Sequence, residues 1–151
     1  GCTDKMAEFA GTMAEGMLCS QAGIPVQAAN KKFLAAYKAP FNIDPILYGP
    51  FTYDAANLLI AAMQKAGSSD PAKYLPALAS ISLEGATGHL EFDAKGDRKD
   101  AEMTIFTVKA GKITPLAIVK SGKLIKYEDF IKPATAPTTP TLPATPADGK
   151  K

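Results

Sequence analysis

The chain has 151 residues, of which 46% are hydrophobic and 21% are charged, and its formal net charge is +2. This length is sufficient for one domain with a hydrophobic core. The small net charge and the scattered lysines argue against a nucleic-acid-binding protein, in which basic residues cluster on one face. No apolar run approaches the ~20 residues that a membrane-spanning helix needs.

The first forty residues predict a helix, a strand and a second helix. Thr3 is expected to cap a short helix that stops at Gly11, because threonine accepts N-terminal N–H groups and glycine tolerates the C′ conformation. Residues 15–21 follow as a predicted strand. The apolar spacing of residues 26–38 predicts the second helix, which Pro40 is expected to end.

Residues 50–66 predict one long amphipathic helix. Pro50 is tolerated in the first turn, where its missing N–H would have no helical partner, and Gly67 follows at the C′ position. A shorter helix that contains Pro76 is expected to start at Ser69 or Asp70. Six apolar residues of the long helix recur on one side and predict its core-facing stripe: Phe51, Ala55, Leu58, Leu59, Ala62 and Met63.

The last third of the chain predicts antiparallel strands and then a tail. From residue 133 to residue 151 the composition is mainly Pro, Thr, Ala, Gly and Lys, which predicts a disordered tail. The order of the elements, with helices first and antiparallel strands late, predicts an α/β fold class. The predicted strands span residues 88–92, 102–109 and 112–120, with a hairpin turn at Ala110-Gly111, and a further short element spans residues 123–130.

The residues that usually carry catalysis or bind metals are few and scattered. His89 is the only histidine, and strand alternation places it on the face opposite Leu90, where a solvated surface residue is expected. We therefore predict no catalytic residues, no metal site and no cofactor. Cys2 and Cys19 leave two interpretations open, either two separate buried thiols or a disulfide that closes a loop of about 17 residues.

Three segments, in this order and spacing, carry a family resemblance. They are AGTMAEGMLCSQAG (Ala10–Gly23), YGPFTYDAANLLIAAMQKAG (Tyr48–Gly67) and TGHLEFDAKGDRKDAEMTIFTVKAGK (Thr87–Lys112). With these segments the chain resembles the C-terminal half of an amino-acid-binding protein of a bacterial ABC importer, of the Leu/Ile/Val type. The resemblance implies part of a two-lobed type I periplasmic-binding-protein fold with Rossmann-like lobes.

The resemblance also implies how the chain is divided between the two lobes. Residues 1–22 correspond to the end of the C-terminal lobe, and residues 23–118 to the returning part of the N-terminal lobe. Residues 119–132 correspond to strands of the C-terminal lobe or hinge, and residues 133–151 to the disordered tail. Crossings between the lobes are expected near Gly23 and within residues 107–118.

Two residues match positions of the family's ligand cleft. Gly1 corresponds to the glycine that follows the acidic residue on the ligand ammonium group, and Tyr48 to an aromatic residue that lines the side-chain pocket. Without the resemblance, Tyr48 would be interpreted as a hydrophobic staple at the start of the long helix. The periplasmic location that the resemblance implies favours a disulfide between Cys2 and Cys19.

The implied function is that of a non-enzymatic solute-binding component of an ABC transporter for branched-chain or related amino acids, with an incomplete ligand site. The implied partners are a small amino acid, the membrane permease, and the missing N-terminal half or a second copy of the chain; no nucleic acid is expected. The expected location is the periplasm, with the signal peptide outside this chain. The alternatives are a self-associating or domain-swapped structural remnant that binds no ligand, and an amidase or sensor that uses the same lobe fold.

Overall fold

The computed structural model describes residues 2–132, so Gly1 and the predicted tail at residues 133–151 lie outside the described residues. Five helices and six strands form in this range. No helix within it is long and apolar enough to cross a membrane. The helices are α1 (Asp4–Ala10), α2 (Lys31–Phe41), α3 (Gly49–Ala66), α4 (Pro71–Ala79) and α5 (Tyr127–Phe130), and the strands are β1 (Leu18–Ala22), β2 (Ser82–Gly85), β3 (Gly88–Glu91), β4 (Met103–Lys109), β5 (Lys112–Lys120) and β6 (Lys123–Lys126).

The main sheet combines one strand from the first part of the described chain with three strands from its last part. Its strand order is β1-β4-β5-β6, and every neighbouring pair is antiparallel. Met103 of β4 lies between Ala22 of β1 and Val119 of β5, so the three strands are in register at this level. The predicted turn between β4 and β5 is present, and Ala110 and Gly111 both have positive φ angles, of 50° and 72°.

A second unit consists of α3, α4 and the two-stranded hairpin of β2 and β3. Its core contains four buried residues, and half-buried aromatic and aliphatic side chains surround them. Two of these residues come from α3, one lies just before β2 and one comes from β3, which places the hairpin against the helix. The buried residues are Leu58, Ala62, Ile81 and Leu90.

A smaller cluster lies where α1 packs on the hairpin of β4 and β5. It contains the buried residues Ala7, Ala14 and Val108, with Ile113 partly buried beside them. The predicted disulfide between Cys2 and Cys19 is present, with a Cα–Cα distance of 5.6 Å. This bond attaches Cys2, two residues before α1, to Cys19, the second residue of β1.

Several predicted boundaries near the N-terminus were wrong. The strand begins at Leu18 rather than at residue 15, because residues 11–14 form a 3₁₀ turn that buries Ala14. The side chain of Thr3 makes no capping hydrogen bond, although α1 does stop before Gly11 as predicted. Local sequence signals do not show that Ala14 has a core contact.

The second helix begins and ends later than predicted. Residues 26–28 form a 3₁₀ turn, and α2 starts after Asn30, whose side chain accepts a hydrogen bond from Lys32 N at 2.8 Å. Pro40 does not end the helix; it lies in the last turn, where its missing N–H costs the helix one hydrogen bond. The helix ends at Asn42, which has the left-handed conformation with φ 52°.

The core-facing side of α3 also differs from the predicted stripe. Leu58 and Ala62 are buried, but Ala55 and Leu59 are exposed, and the residue that joins the buried side is Asp54, at 3% exposure. The difference arises because the hairpin of β2 and β3 packs on this side of the helix. Strand β2 was not predicted at all.

Candidate functional site

The backbone at Gly23, which connects β1 to the following segment, is held on both of its polar groups. Its N–H donates to the carbonyl oxygen of Glu102 at 2.7 Å. Its own carbonyl oxygen accepts from Thr104 Oγ1 at 2.6 Å, and Thr104 is fully buried. Gly23 has φ +87°, a conformation that other residues rarely adopt. The backbone around Gly23, called the crossing segment below because it leads out of the main sheet after β1, is therefore held against the start of β4.

The aromatic ring of Phe51 lies directly over Gly23. A Cβ atom built on Gly23 would overlap the ring atoms of Phe51, so only glycine fits between the crossing segment and α3. Phe51 belongs to the first turn of α3 and follows Tyr48 by three residues. The contact consequently links the crossing segment to the helix end that carries Tyr48.

A cavity of about 670 Å³ lies beside this crossing segment. Its wall combines residues from the start of the chain, from β1 and the crossing, and from the loop between α2 and α3. Carboxylates, amides and aliphatic groups are present together, which is the mixture that a small polar solute with an apolar side chain requires. Residues of the wall include Cys2, Asp4, Gln21, Ile24, Asp44 and Leu47.

The two predicted ligand residues adjoin this cavity in sequence. Gly1 lies outside the described residues, but its neighbour Cys2 forms part of the wall. Tyr48 is not part of the wall; it follows Leu47, which is, and 59% of Tyr48 is exposed. The residue after Gly1 and the residue before Tyr48 thus line the same cavity.

Asp54 forms a buried polar contact that the sequence analysis missed. Its carboxylate accepts from Ala86 N at 2.6 Å, from Thr87 N at 2.8 Å and from Thr87 Oγ1 at 2.6 Å. Gly85 allows this approach, since a Cβ there would lie 2.6 Å from the carboxylate. An acidic residue four positions before Leu58, on the apolar side of a helix, is the signal that was available.

The side chains of Arg98 and Glu102 connect the turn that binds Asp54 to the crossing segment. Arg98 Nη2 donates to the Thr87 carbonyl oxygen at 3.0 Å and lies 3.6 Å from Glu102 Oε2. The other oxygen of the Glu102 carboxylate accepts from Lys120 Nζ at 2.8 Å. Because the Glu102 backbone holds Gly23, a series of hydrogen bonds, interrupted by the ion pair of Arg98 and Glu102, runs from α3 to the crossing segment. Arg98 Nε and Glu102 Oε2 are buried without a hydrogen-bond partner among the described residues.

The exposed charged groups around β3 form surface pairs. His89 is half-exposed and contacts the carboxylates of Glu84 and Glu91. The Lys99 ammonium, hydrogen-bonded to Glu91, holds the pKa of Glu91 below its ordinary value. The Glu91 carboxylate in turn raises the pKa of Lys99. Among residues 2–132, no group of acidic, histidine or cysteine side chains is arranged to hold a metal ion.

A groove of about 720 Å³ separates α2 from α3. Phe33 and Tyr53 pack in it with ring centroids 5.0 Å apart, and Tyr37 packs against Phe33 at 6.0 Å. Tyr53 therefore packs against α2.

Comparison with known families identifies the fold. A family model described as "Periplasmic binding protein" matches residues 2–112. The leucine-binding protein of Thermotoga maritima superposes with a TM-score of 0.64 and 28% identity, over 83% of this chain and 35% of that one. An ABC transporter substrate-binding protein of Desulfitobacterium hafniense, solved in complex with Leu, superposes with a TM-score of 0.58 and 27% identity, over 72% of this chain and 33% of that one.

Curated relatives agree with these structures. The leucine-, isoleucine-, valine-, threonine- and alanine-binding protein of Pseudomonas aeruginosa is 35% identical over 68% of this chain and 28% of its own length. The Leu/Ile/Val-binding protein of Citrobacter freundii is 34% identical over 67% of this chain and 27% of its own length. The chain thus spans less than a third of these curated relatives. The matched residues include the crossing segment, α3 and the strands β1 and β4 of the main sheet, and the chain belongs to the periplasmic binding protein family.

Proposed function

We propose that the chain provides part of the solute site of an ABC importer for branched-chain or related small amino acids. The observation that carries this proposal is the cavity beside Gly23, whose wall includes both Cys2 and Leu47. These residues adjoin Gly1 and Tyr48, the two positions that match the family's ligand cleft. The named binding function of the Pseudomonas aeruginosa relative supports the choice of ligand class.

The proposed site is incomplete within this chain. An amino-acid zwitterion carries two charges, and each needs charge-assisted hydrogen bonds when it is enclosed. In this proposal an acidic residue before Gly1 binds the ammonium group, and donors of the opposite lobe bind the carboxylate. Tyr48, exposed over more than half of its surface, contacts the side chain of the solute.

We also propose that residues 1–22 end the C-terminal lobe, that residues 23–118 form the returning part of the N-terminal lobe, and that residues 119–132 belong to the C-terminal lobe or the hinge. Two observations support a boundary near Gly23: the hydrogen bonds that hold its backbone at the end of β1, and the separate hydrophobic clusters of α1 and α3. Val108 and Ile113 pack in the cluster of α1, which supports a crossing between the lobes within residues 107–118.

The proposed partners are the solute, the membrane permease of the importer, and the part of the fold that this chain lacks. The proposed location is the periplasm. The relatives named above are binding proteins, and they support neither an enzyme nor the alternative of a self-associating remnant.

Isothermal titration with leucine, isoleucine and valine tests the proposal. We expect the full product of the gene that holds these residues to bind at least one of them, and the 151-residue chain alone to bind weakly or not at all. Tyr48→Ala should weaken binding by the full product, whereas Tyr37→Ala, a change in the groove between α2 and α3, should not. Submicromolar binding by the isolated chain would refute the incomplete site.

A further inference from the structure

The first two turns of α3 are attached to the crossing segment at one point and to the hairpin of β2 and β3 at another. Phe51 covers Gly23, and Asp54 accepts three hydrogen bonds from the turn at residues 86–87. Both attachments are on the buried or half-buried side of the helix. Together they fix where the N-terminal end of α3 lies relative to Gly23.

Tyr48 is connected rigidly to this end of the helix. Its carbonyl oxygen accepts from Thr52 N at 2.9 Å, which is the first hydrogen bond of α3. Gly49 N donates to the Ile46 carbonyl oxygen at 2.6 Å, and this bond closes the turn on the other side of Tyr48. A displacement of Phe51 must therefore move Tyr48 with it, because a helical turn behaves as one rigid unit.

We propose that Phe51 is a positioning residue for solute binding: through its contact with Gly23, it sets the place of Tyr48 relative to the crossing segment. The inference rests on the proposed function, in which Tyr48 contacts the solute side chain. Phe51 itself touches the backbone of the crossing and needs no contact with the solute. Movement of the segment before Gly23 then reaches Tyr48 through one aromatic ring.

The contact is specific enough to be tested by substitution. Gly23→Ala introduces a methyl group into the space of the Phe51 ring, and it also strains a backbone with φ +87°. Gly16→Ala is a matched control, because Gly16 has φ +77° and open space around the position of a Cβ atom. The difference between the two variants isolates the contact with the ring from the backbone strain.

The first experiment measures amino-acid affinity of the full gene product in a double-mutant cycle. Phe51→Ala should weaken binding roughly tenfold, and by less than about twofold when Tyr48→Ala is already present. Leu58→Ala, buried further along the same helix, should lower the melting temperature without this coupling to Tyr48. Equal effects of Phe51→Ala in both backgrounds would overturn the proposal.

The second experiment uses the 151-residue chain and needs no ligand. The chain contains no tryptophan, so Tyr48→Trp supplies a single fluorescent reporter. Gly23→Ala should shift its emission maximum, Gly16→Ala should not, and Phe51→Ala should remove the shift that Gly23→Ala causes. Identical spectra for the Gly23→Ala and Gly16→Ala variants would refute the connection. A full gene product that binds no amino acid would instead refute the proposed function, and the emission measurement would still decide the contact.

Discussion

The region of α3 and its hairpin and the region of α1 and the main sheet are held together by different means. The first has a core of four buried apolar residues with several partly buried ones around them. In the second, β4 and β5 bury Phe106, Ala117 and Ile118, but the cluster that holds α1 has only three buried residues, two of them alanines, and a disulfide is added to it. A cluster this small gives α1 little hydrophobic stabilisation, so the covalent crosslink supplements it.

The two regions also use polar groups differently. Asp54 satisfies its carboxylate with three buried donors, whereas in the region of α1 the side chains of Asp4 and Glu15 accept single backbone bonds from Ile113 and Ala110 at exposed positions. Exposed hydrogen bonds contribute little because water competes for both partners. The comparison teaches that α3 is fixed by burial, whereas α1 depends on its disulfide.

The largest effect is expected from Asp54→Ala. This change leaves Ala86 N, Thr87 N and Thr87 Oγ1 buried without their acceptor, and we expect a loss of about 4 kcal/mol in the free energy of unfolding. Urea denaturation followed by circular dichroism measures it. Asp44→Ala, which removes an exposed ion pair with Lys38, should change stability by less than about 0.5 kcal/mol. Similar losses for the two variants would contradict the role assigned to Asp54.

Removal of the disulfide by the double change Cys2→Ala and Cys19→Ala should cost about 3 kcal/mol, the value for a loop of this length. Hydrogen exchange is the decisive measurement, because the loss should be local. The amides of α1 and β1 should exchange faster, and those of α3 near Leu58 should keep their protection. Uniform acceleration in both regions would show that they unfold as one unit.

Gly85→Ala should destabilise the region of α3 by about 2 kcal/mol. The added Cβ would lie 2.6 Å from the Asp54 carboxylate, and a packed interior resists such an addition. Thermal unfolding measures the change, and Asp54→Ala should remove most of it, because the clashing group is then absent. If the cost of Gly85→Ala stays the same with Asp54→Ala, then the carboxylate is not its cause.

The smallest effect is expected at the exposed pair of Glu91 and Lys99. The paired lysine lowers the pKa of Glu91, so the stability from this pair is present above the ordinary carboxyl pKa and is lost as pH falls through the lowered value. The pKa of Lys99 is raised, so its contribution is lost only as pH rises through that raised value. A carboxyl NMR titration should show the pKa of Glu91 rising in Lys99→Met; an unchanged pKa would contradict the pairing.

The sequence predicted those features that depend on residues close together in the chain. The long helix, its end at Gly67, the cap at Asp70 and the turn at Ala110-Gly111 all formed, because caps and turns need only neighbouring backbone groups. It was less successful where a distant segment decides the outcome. Strand β2 exists by pairing with β3, and the 3₁₀ turn before β1 exists because Ala14 is buried against Val108.

The candidate site shows the same division. The motif around Tyr48 and the pair of cysteines were visible in the sequence, and they indicated a family and a crosslink. Asp54, Arg98 and Glu102 were not recognised as one buried group, since their partners are up to 33 residues away along the chain. Nor did the sequence indicate that Phe51 covers Gly23.

By itself, then, the sequence determined the α/β character of the chain, the long helix, the late antiparallel strands and the resemblance to a solute-binding family. Only the tertiary structure decided which side of α3 is buried, which residues hold the crossing at Gly23, and where the cavity lies. The physical reason is that helix and turn signals depend on neighbouring groups, whereas burial of a charge or close approach to a glycine depends on segments that meet only when the chain has folded.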